Sequence, residues 1–156
     1  MPRKKCIGKR EISPDPKYGD VLIQKFINKV MLCGKKSIAE KLVYSAIETA
    51  SKGKKESPVE VFKTALDNVR PRVMVKSTRI GGATYQVPTE VTLDNSQAIG
   101  MKWIITFFRN RSEKGAVAKL AGEIDDAFNK RGNAFKRRED TYKMAEANKA
   151  FAHFKW

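Results

Sequence analysis

Apolar side chains recur every three or four residues from position 20 onward, a spacing that predicts amphipathic helices. A first helix would begin after Asp20, whose side chain can cap it, and would run to about Cys33, where Gly34 stops it. Its predicted buried stripe contains Leu22, Ile23, Phe26, Ile27, Val30 and Met31. Polar side chains fall between these positions, as expected of a helix with one face on a core.

Two capping boxes predict where the next two helices begin. Ser37 with Glu40 has the spacing of a box for a second helix, and Ser57 with Glu60 repeats it for a third, with Pro58 at the first helical position. The predicted stripes are Ile38, Leu42, Val43, Ala46 and Ile47, then Val61, Phe62, Ala65, Leu66 and Val69. The residues expected to end the two helices are Gly53 and Pro71.

The pattern then changes to β-forming residues around a Gly81–Gly82 pair. Residues 72–80 and 83–91 are two such runs, and their separation by Gly-Gly predicts a β-hairpin. The expected register pairs Ile80 with Ala83, Thr78 with Tyr85 and Lys76 with Val87. Neither face is uniformly apolar, and Pro88 lacks a backbone donor, so we expect a protruding two-stranded arm over residues 72–92.

Helical spacing returns after the hairpin and predicts three more helices. The fourth would start from a cap at Asp94, Asn95 or Ser96, with Ile99, Trp103, Ile104 and Phe107 on its apolar face. The fifth covers residues 114–130, with Val117, Leu120, Ala121, Ile124 and Phe128 in phase and Gly132 as its stop. The sixth covers residues 134–150. The predicted fold is mainly α, a six-helix bundle with a protruding two-stranded β-hairpin between helices 3 and 4, in one domain over residues 1–156.

The end of the chain allows two interpretations. The last helix has a thin apolar stripe, so it either covers the body loosely or projects toward a partner. The same choice applies to the aromatic residues that follow it, Phe151, Phe154 and Trp156, which either pack back on the body or dock another protein. We treat residues 133–156 as a C-terminal helix and tail.

Charge is the most informative feature of the composition. The 156 residues include 32 Lys and Arg against 17 Asp and Glu, a formal net charge of +15. Such an excess repels itself unless polyanions neutralise it, and nucleic acid is the commonest such partner. The tail, residues 1–17, is basic and extended, and no acid occurs between Asp67 and Glu90 or between Asp94 and Glu113. The tail, the hairpin and the fourth helix are therefore the candidate nucleic-acid contacts.

The composition argues against a membrane protein and against a bound cofactor. The longest apolar run, residues 103–108, is far below the ~20 residues that cross a bilayer. No signal peptide or lipidation motif is visible, so we expect a cytoplasmic protein. Cys6, Cys33 and the single histidine, His153, are too scattered for a zinc site, and they give no support for a disulfide.

Two other functions compete with RNA binding. A DNA-binding regulator would share the basic charge, the helices and the ribbon. An RNA-modifying enzyme would need chemistry that the chain lacks, because Gly81–Gly82 lies in a hairpin and not at a strand-to-helix turn. The neighbouring carboxylates of Asp125–Asp126 and Glu139–Asp140 point in different directions on a helix. RNA binding without catalysis is the prediction.

Motifs along nearly the whole chain resemble one family. They are residues 13–19 (Ser-Pro-Asp-Pro-Lys-Tyr-Gly), 34–37 (Gly-Lys-Lys-Ser), 68–71 (Asn-Val-Arg-Pro), the hairpin 75–88 and the ending 137–154. Together they resemble the bacterial small-subunit ribosomal protein number seven. The order of helices and hairpin predicted from spacing agrees with the fold of that family.

The resemblance implies a function as well as a fold. Members bind the three-prime major domain of small-subunit rRNA, nucleate assembly of the head and lie at the subunit interface near the decoding centre. Their hairpin and last helix approach the exit-site tRNA, and ribosomal proteins number nine and eleven of the small subunit are neighbours. Some members also bind their own messenger RNA and repress its translation, and this sequence does not decide whether the chain does so.

The resemblance also implies site residues. Contact with rRNA falls on Arg3, Lys4, Lys5, Lys9, Arg10, Lys25, Lys29, Lys35, Lys36, Arg70, Arg72, Lys76, Arg79, Lys102, Arg109 and Arg111. Proximity to exit-site tRNA falls on Gly81, Gly82, Ala83, Thr84, Tyr85, Arg137, Arg138 and Lys143. The chain departs from the family pattern at Thr78, where a second arginine is usual, and at residues 93–97, which lack the usual basic run.

Overall fold

The structure, a computed structural model, describes residues 11–154, with all of their side chains except those of Ile80 and Phe154. Within this range the elements are α1 Val21–Val30, α2 Lys36–Ser51, α3 Pro58–Val69, β1 Val73–Ile80, β2 Ala83–Glu90, α4 Leu93–Arg109, α5 Ala116–Phe128 and α6 Gly132–Ala147. A 3₁₀ helix, Lys149–Phe154, follows α6 and is called the C-terminal 3₁₀ segment. This order confirms the predicted fold of six helices with a hairpin between the third and the fourth.

The core lies between the first five helices. α5 is central because it packs against α2, α3 and α4, while α1 closes the bundle by packing against α2 and α4. Phe26 of α1 and Phe62 of α3 are fully buried, and their ring centroids lie 4.9 Å apart. None of the helices found between residues 11 and 154 has the length and hydrophobicity to cross a membrane.

Helix starts follow the predicted caps in two cases and depart from them in two. Asp20 caps α1 by accepting from the N–H of Leu22 at 2.7 Å, and Ser57 with Glu60 forms the predicted box at α3. The box predicted for α2 is wrong, because that helix already begins at Lys36 and no side chain caps it. The predicted cap of α4 is also wrong. The helix begins at Leu93, and the hydroxyl of Ser96 donates to the carbonyl of Pro71 instead.

Several predicted boundaries also move. α1 ends at Val30 and not near Cys33, because the chain turns directly afterwards with the N–H of Met31 bonded to Ile27. α5 begins at Ala116 and ends at Phe128, so it starts two residues later and ends two residues earlier than the predicted helix over residues 114–130. Gly132, predicted to stop α5, is the first residue of α6.

The apolar face of α4 is rotated from the predicted one. Its buried apolar side chains are Met101, Ile104, Ile105 and Phe108, whereas the predicted Trp103 and Phe107 are half-buried at the edge of the core. Ile38 and Val117, predicted to lie in buried stripes, are exposed. Neighbouring helices decide which part of a broad apolar face is covered, and helical spacing alone does not contain that information.

The hairpin has the predicted register. Ile80 pairs with Ala83, Thr78 with Tyr85 and Lys76 with Val87, and the two strands pair only with each other among the described residues. Gly81 and Gly82 both have positive φ, +57° and +88°, which the two-residue turn requires. The arm is braced along one side, since α6 packs against both strands and the C-terminal 3₁₀ segment packs against β2. The last helix therefore supports the hairpin.

Candidate nucleic-acid interface

Three predicted lysines lie in or beside an open groove between α1 and α4. Lys25 and Lys29 lie one helical turn apart on α1 and line the groove, while Lys102 is exposed on α4. The ammonium of Lys29 donates to the carbonyl of Ala98 on α4 at 3.0 Å. Burial lowers the pKa of Lys29, and the charge of Lys102 lowers this pKa further. The two cations repel each other, so an anion bound in the groove would stabilise both.

Charge is segregated between the faces of the bundle. α1 and α4 together contain one acidic residue, Asp94, and four basic residues, Lys25, Lys29, Lys102 and Arg109. α5 has the opposite balance, with one basic residue, Lys119, and three acidic residues, Glu123, Asp125 and Asp126. An organised positive face of this kind is the electrostatic footprint of a nucleic-acid partner.

The base of the hairpin packs against α4. Ser96 on α4 donates from its buried hydroxyl to the carbonyl of Pro71 at 2.7 Å. Gly100 lets the backbones come close, because a Cβ at that position would lie 3.2 Å from Cα and Cβ of Arg70. Arg70 bonds Asp67 at 2.6 Å, whereas Arg72 is exposed. These contacts hold the segment with Arg70 and Arg72 against α4.

Further along the arm the cations are exposed to solvent. Lys76 and Arg79 are both exposed on β1, and the odd spacing puts them on opposite faces of the ribbon. At the tip Gly81, Gly82, Ala83 and Thr84 are exposed. Tyr85 is half-buried, with its ring centroid 5.5 Å from that of Phe151 in the C-terminal 3₁₀ segment.

The start of α2 and the loop before it add two more exposed lysines. Lys35 and Lys36 are exposed, and the ammonium of Lys36 lies 3.6 Å from Glu40, one turn along α2. Ion pairs of this exposed kind contribute little to stability, so the charge of Lys36 is available to a partner. Lys36 borders a second shallow groove together with Asn28 of α1.

Arg111 differs from the other predicted arginines because its charge is neutralised internally. Its guanidinium is bonded to Glu123 at 2.8 Å, to Asp126 at 2.7 Å and to Glu113 at 2.7 Å. The bond to Glu113 is the main cause of a raised pKa for Arg111. Burial raises the pKa of Glu123, although Arg111 acts in the other direction. This cluster ties the loop after α4 to α5.

Arg138 is likewise held within the protein. Its guanidinium carbon lies 4.3 Å from the ring centroid of Phe135 and 5.6 Å from that of Tyr142, and it donates to the carbonyl of Asn68. The sequence contains a signal for this role, because aromatic residues three before and four after an arginine lie beside it on a helix. Arg137 and Lys143, on the same helix, are exposed.

The predicted tail contacts Arg3, Lys4, Lys5, Lys9 and Arg10 lie outside the described residues. The structure describes the residues that follow them, and Glu11 and Ile12 line the same groove as Lys25 and Lys29. Glu11 therefore lies at the rim of the groove, whose charged lining is Lys25, Lys29, Glu11 and Asp94.

Comparison with known proteins identifies the family. Residues 2–149 match the family described as ribosomal protein S7p/S5e. The small ribosomal subunit proteins uS7 of Myxococcus xanthus (strain DK1622), Anaeromyxobacter sp. (strain K) and Sphingopyxis alaskensis (strain DSM 13593 / LMG 18877 / RB2256) are 58%, 56% and 54% identical over 156 residues, which is the full length of each chain. The match confirms the predicted resemblance and the prediction that the protein is not an enzyme. The chain belongs to the ribosomal protein S7p/S5e family of structural, non-enzymatic ribosomal proteins.

Proposed function

We propose that this chain, a structural protein of the small ribosomal subunit, binds the three-prime major domain of small-subunit rRNA directly and nucleates assembly of the head. The observation that carries the proposal is the segregated charge, with an excess of basic side chains on α1 and α4 and the hairpin base packed against α4. Family membership supports rRNA as the polyanion that this surface takes. The same membership favours RNA over the duplex DNA of a regulator.

Phosphate neutralisation would supply most of the affinity. Lys29 and Lys102 repel each other in the free protein, and an RNA phosphate between them removes that cost. Arg70, Arg72 and Arg109 can hold phosphates with two parallel hydrogen bonds, which lysines cannot do. If 6 to 10 phosphates are engaged, affinity falls by about 10³ to 10⁵ between 50 and 200 mM salt.

Selectivity would come from RNA shape. A groove beside a projecting ribbon fits a folded junction, whose strands diverge, better than a uniform duplex. Lys76 and Arg79 on opposite faces of the ribbon suit a position between two RNA strands. Arg111 and Arg138 take no part in this proposal as phosphate ligands, since their guanidinium groups hold the protein together.

The exposed hairpin tip and the outer face of α6 are proposed to approach the exit-site tRNA. Gly81 to Thr84 are free of bulky side chains, and Arg137 and Lys143 offer exposed charge on α6. Ribosomal proteins number nine and eleven of the small subunit are the proposed neighbours. Competition between the rRNA domain and the chain's own messenger RNA tests the regulatory role known for some family members.

Chemical footprinting of free small-subunit rRNA, with and without the protein, tests the main proposal. We expect protections confined to the three-prime major domain, and we expect the double variant Lys29→Gln/Lys102→Gln to lose most of them. Equimolar duplex DNA at the same salt should leave the footprint unchanged. Protections spread over other rRNA domains, or a footprint abolished by duplex DNA, would contradict specific rRNA binding.

A further inference from the structure

The groove between α1 and α4 is lined by as much negative as positive charge. Its charged lining residues are Lys25, Lys29, Glu11 and Asp94. The ammonium of Lys25 lies 3.6 Å from the carboxylate of Asp94, so one pair of opposite charges is already joined across the two helices. Lys102 is exposed and follows Met101, the last lining residue of α4. The interior of the groove therefore suits an uncharged group, while Lys29 and Lys102 remain for a phosphate at its edge.

Three amide side chains line the same groove with hydrogen-bonding groups that the fold does not use. Asn28 lies on α1, and Asn95 and Gln97 lie on α4. The side-chain oxygen of Asn28 accepts from the buried amide of Gln24 at 3.2 Å, so its own amino group remains to donate. Within residues 11–154 no group bonds that amino group or the side-chain amides of Asn95 and Gln97. A ligand can therefore take these donors and acceptors without breaking a bond of the fold.

Apolar side chains complete the lining. Ile12 and Val21 are both exposed large aliphatic residues, and Ala98 and Met101 lie opposite them on α4. The groove has a volume of about 770 Å³, within the range of protein pockets that hold small organic groups. A nucleobase has an apolar face and an edge of donors and acceptors, so it matches a lining of aliphatic and amide side chains.

We propose that this groove binds one unpaired adenine of the RNA and that Asn28, Asn95 and Gln97 bind the edge of that base. The inference rests on the proposed rRNA binding and deepens it, because the base enters the groove while its phosphate lies near Lys29 and Lys102. An amide offers a donor beside an acceptor, which matches N7 and the 6-amino group of adenine. The three amides therefore supply selectivity, and the two lysines supply the salt-dependent part of the affinity.

Analogue interference on a transcript of the three-prime major domain tests for such a base. Purine riboside, which lacks the 6-amino group, is scattered in place of adenosine, and we expect one position at which it excludes the transcript from the fraction bound by the parent. This interference should disappear with Asn95→Ala/Gln97→Ala and with Asn28→Ala. It should persist with Asn133→Ala, the matched control, which removes an exposed amide at the start of α6. Interference at the same positions in the parent and in the groove variants would overturn the inference.

Salt dependence separates a contact with a base from a contact with a phosphate. Asn95→Ala/Gln97→Ala should weaken binding to the same transcript about fivefold or more, while the slope of log affinity against log salt stays within about 0.5 of the parent, because an amide has no charge. Lys29→Gln/Lys102→Gln should lower that slope by about two. An amide variant that binds like the parent, or that loses as much slope as the lysine variant, would overturn the base site and leave the proposed rRNA binding intact. A parent chain that does not bind the transcript would contradict the proposed function itself.

Discussion

Arg109 and Arg111 lie two residues apart at the end of α4, yet their guanidinium groups have different surroundings. Arg109 is exposed beside the ring of Phe108, 5.9 Å from its centroid. Arg111 is bonded to three carboxylates, of which Glu123 is buried. RNA can neutralise the first charge, whereas the second is already neutralised inside the protein.

Exchange of each arginine for glutamine should separate these roles. We expect Arg111→Gln to lower the free energy of unfolding by about 3 kcal/mol, because Glu123 is left buried without its cation. The affinity of the folded fraction for rRNA should stay unchanged. Urea unfolding and filter binding measure the two quantities.

Arg109→Gln is the control for that prediction. Its unfolding free energy should change by less than about 0.5 kcal/mol. Its affinity for rRNA should fall, and the slope of log affinity against log salt concentration should decrease in magnitude by about one. A stable Arg111→Gln variant that has lost RNA affinity would show that the internal cluster opens on binding.

At the scale of elements, local chemistry predicted much of the fold. The box at Ser57 and the Gly81–Gly82 turn need only neighbours in sequence, and both were predicted with the right partners. The start of α2 was not predicted correctly, because the turn before it places Lys36, and not Ser37, at the beginning of the helix. The exposed Ile38 was missed because burial depends on what packs against a helix, which no local pattern contains.

The cap of α1 makes a prediction about pH. Burial alone would raise the pKa of Asp20, but the ammonium of Lys63 and the N–H of Leu22 outweigh it and hold this pKa below its usual value. A lowered pKa contributes stability that is present above about pH 4 and is lost as pH falls through the folded value. Asp20→Asn keeps the cap but loses this contribution.

The expected difference in unfolding free energy between the parent and Asp20→Asn is below about 1 kcal/mol at pH 7, since the ion pair is partly exposed. Plotted against pH, the unfolding free energies of the two proteins, measured by denaturant titration, should converge between pH 4 and pH 2. A gap that stays constant over this range would show that the carboxylate charge is not the cause.

The hairpin makes a prediction about dynamics. The C-terminal 3₁₀ segment packs on β2, with the ring of Phe151 against that of Tyr85. Phe151→Ala should remove about 1 kcal/mol of aromatic contact, so the amides of β2 should exchange hydrogen roughly fivefold faster. Met144→Ala, an exposed position on α6, is the control. Unchanged exchange in Phe151→Ala would show that the segment does not brace the arm.

At the scale of the whole molecule, the sequence predicted where positive charge is concentrated, but it did not predict which of the charged side chains are free to bind RNA. The acid-free stretches placed positive charge on the hairpin and α4, and the groove collects Lys25 and Lys29 beside them. The sequence could not show that Arg111 is paired, because its carboxylate partners come from α5 and the preceding loop. It also could not show that Asp15, within the predicted tail 1–17, is buried in the body.

The location of positive charge, as distinct from its amount, is the central claim. Two double variants remove the same net charge: Lys29→Gln/Lys102→Gln changes the groove, and Lys52→Gln/Lys55→Gln changes the exposed turn between α2 and α3. The measurement is the affinity for the three-prime major domain transcript from 50 to 200 mM salt.

We predict that the groove variant lowers the slope of log affinity against log salt by about two, and that the turn variant leaves the slope within about 0.5 of the parent. Equal losses of slope in the two variants would contradict the account, because net charge alone would then explain the binding.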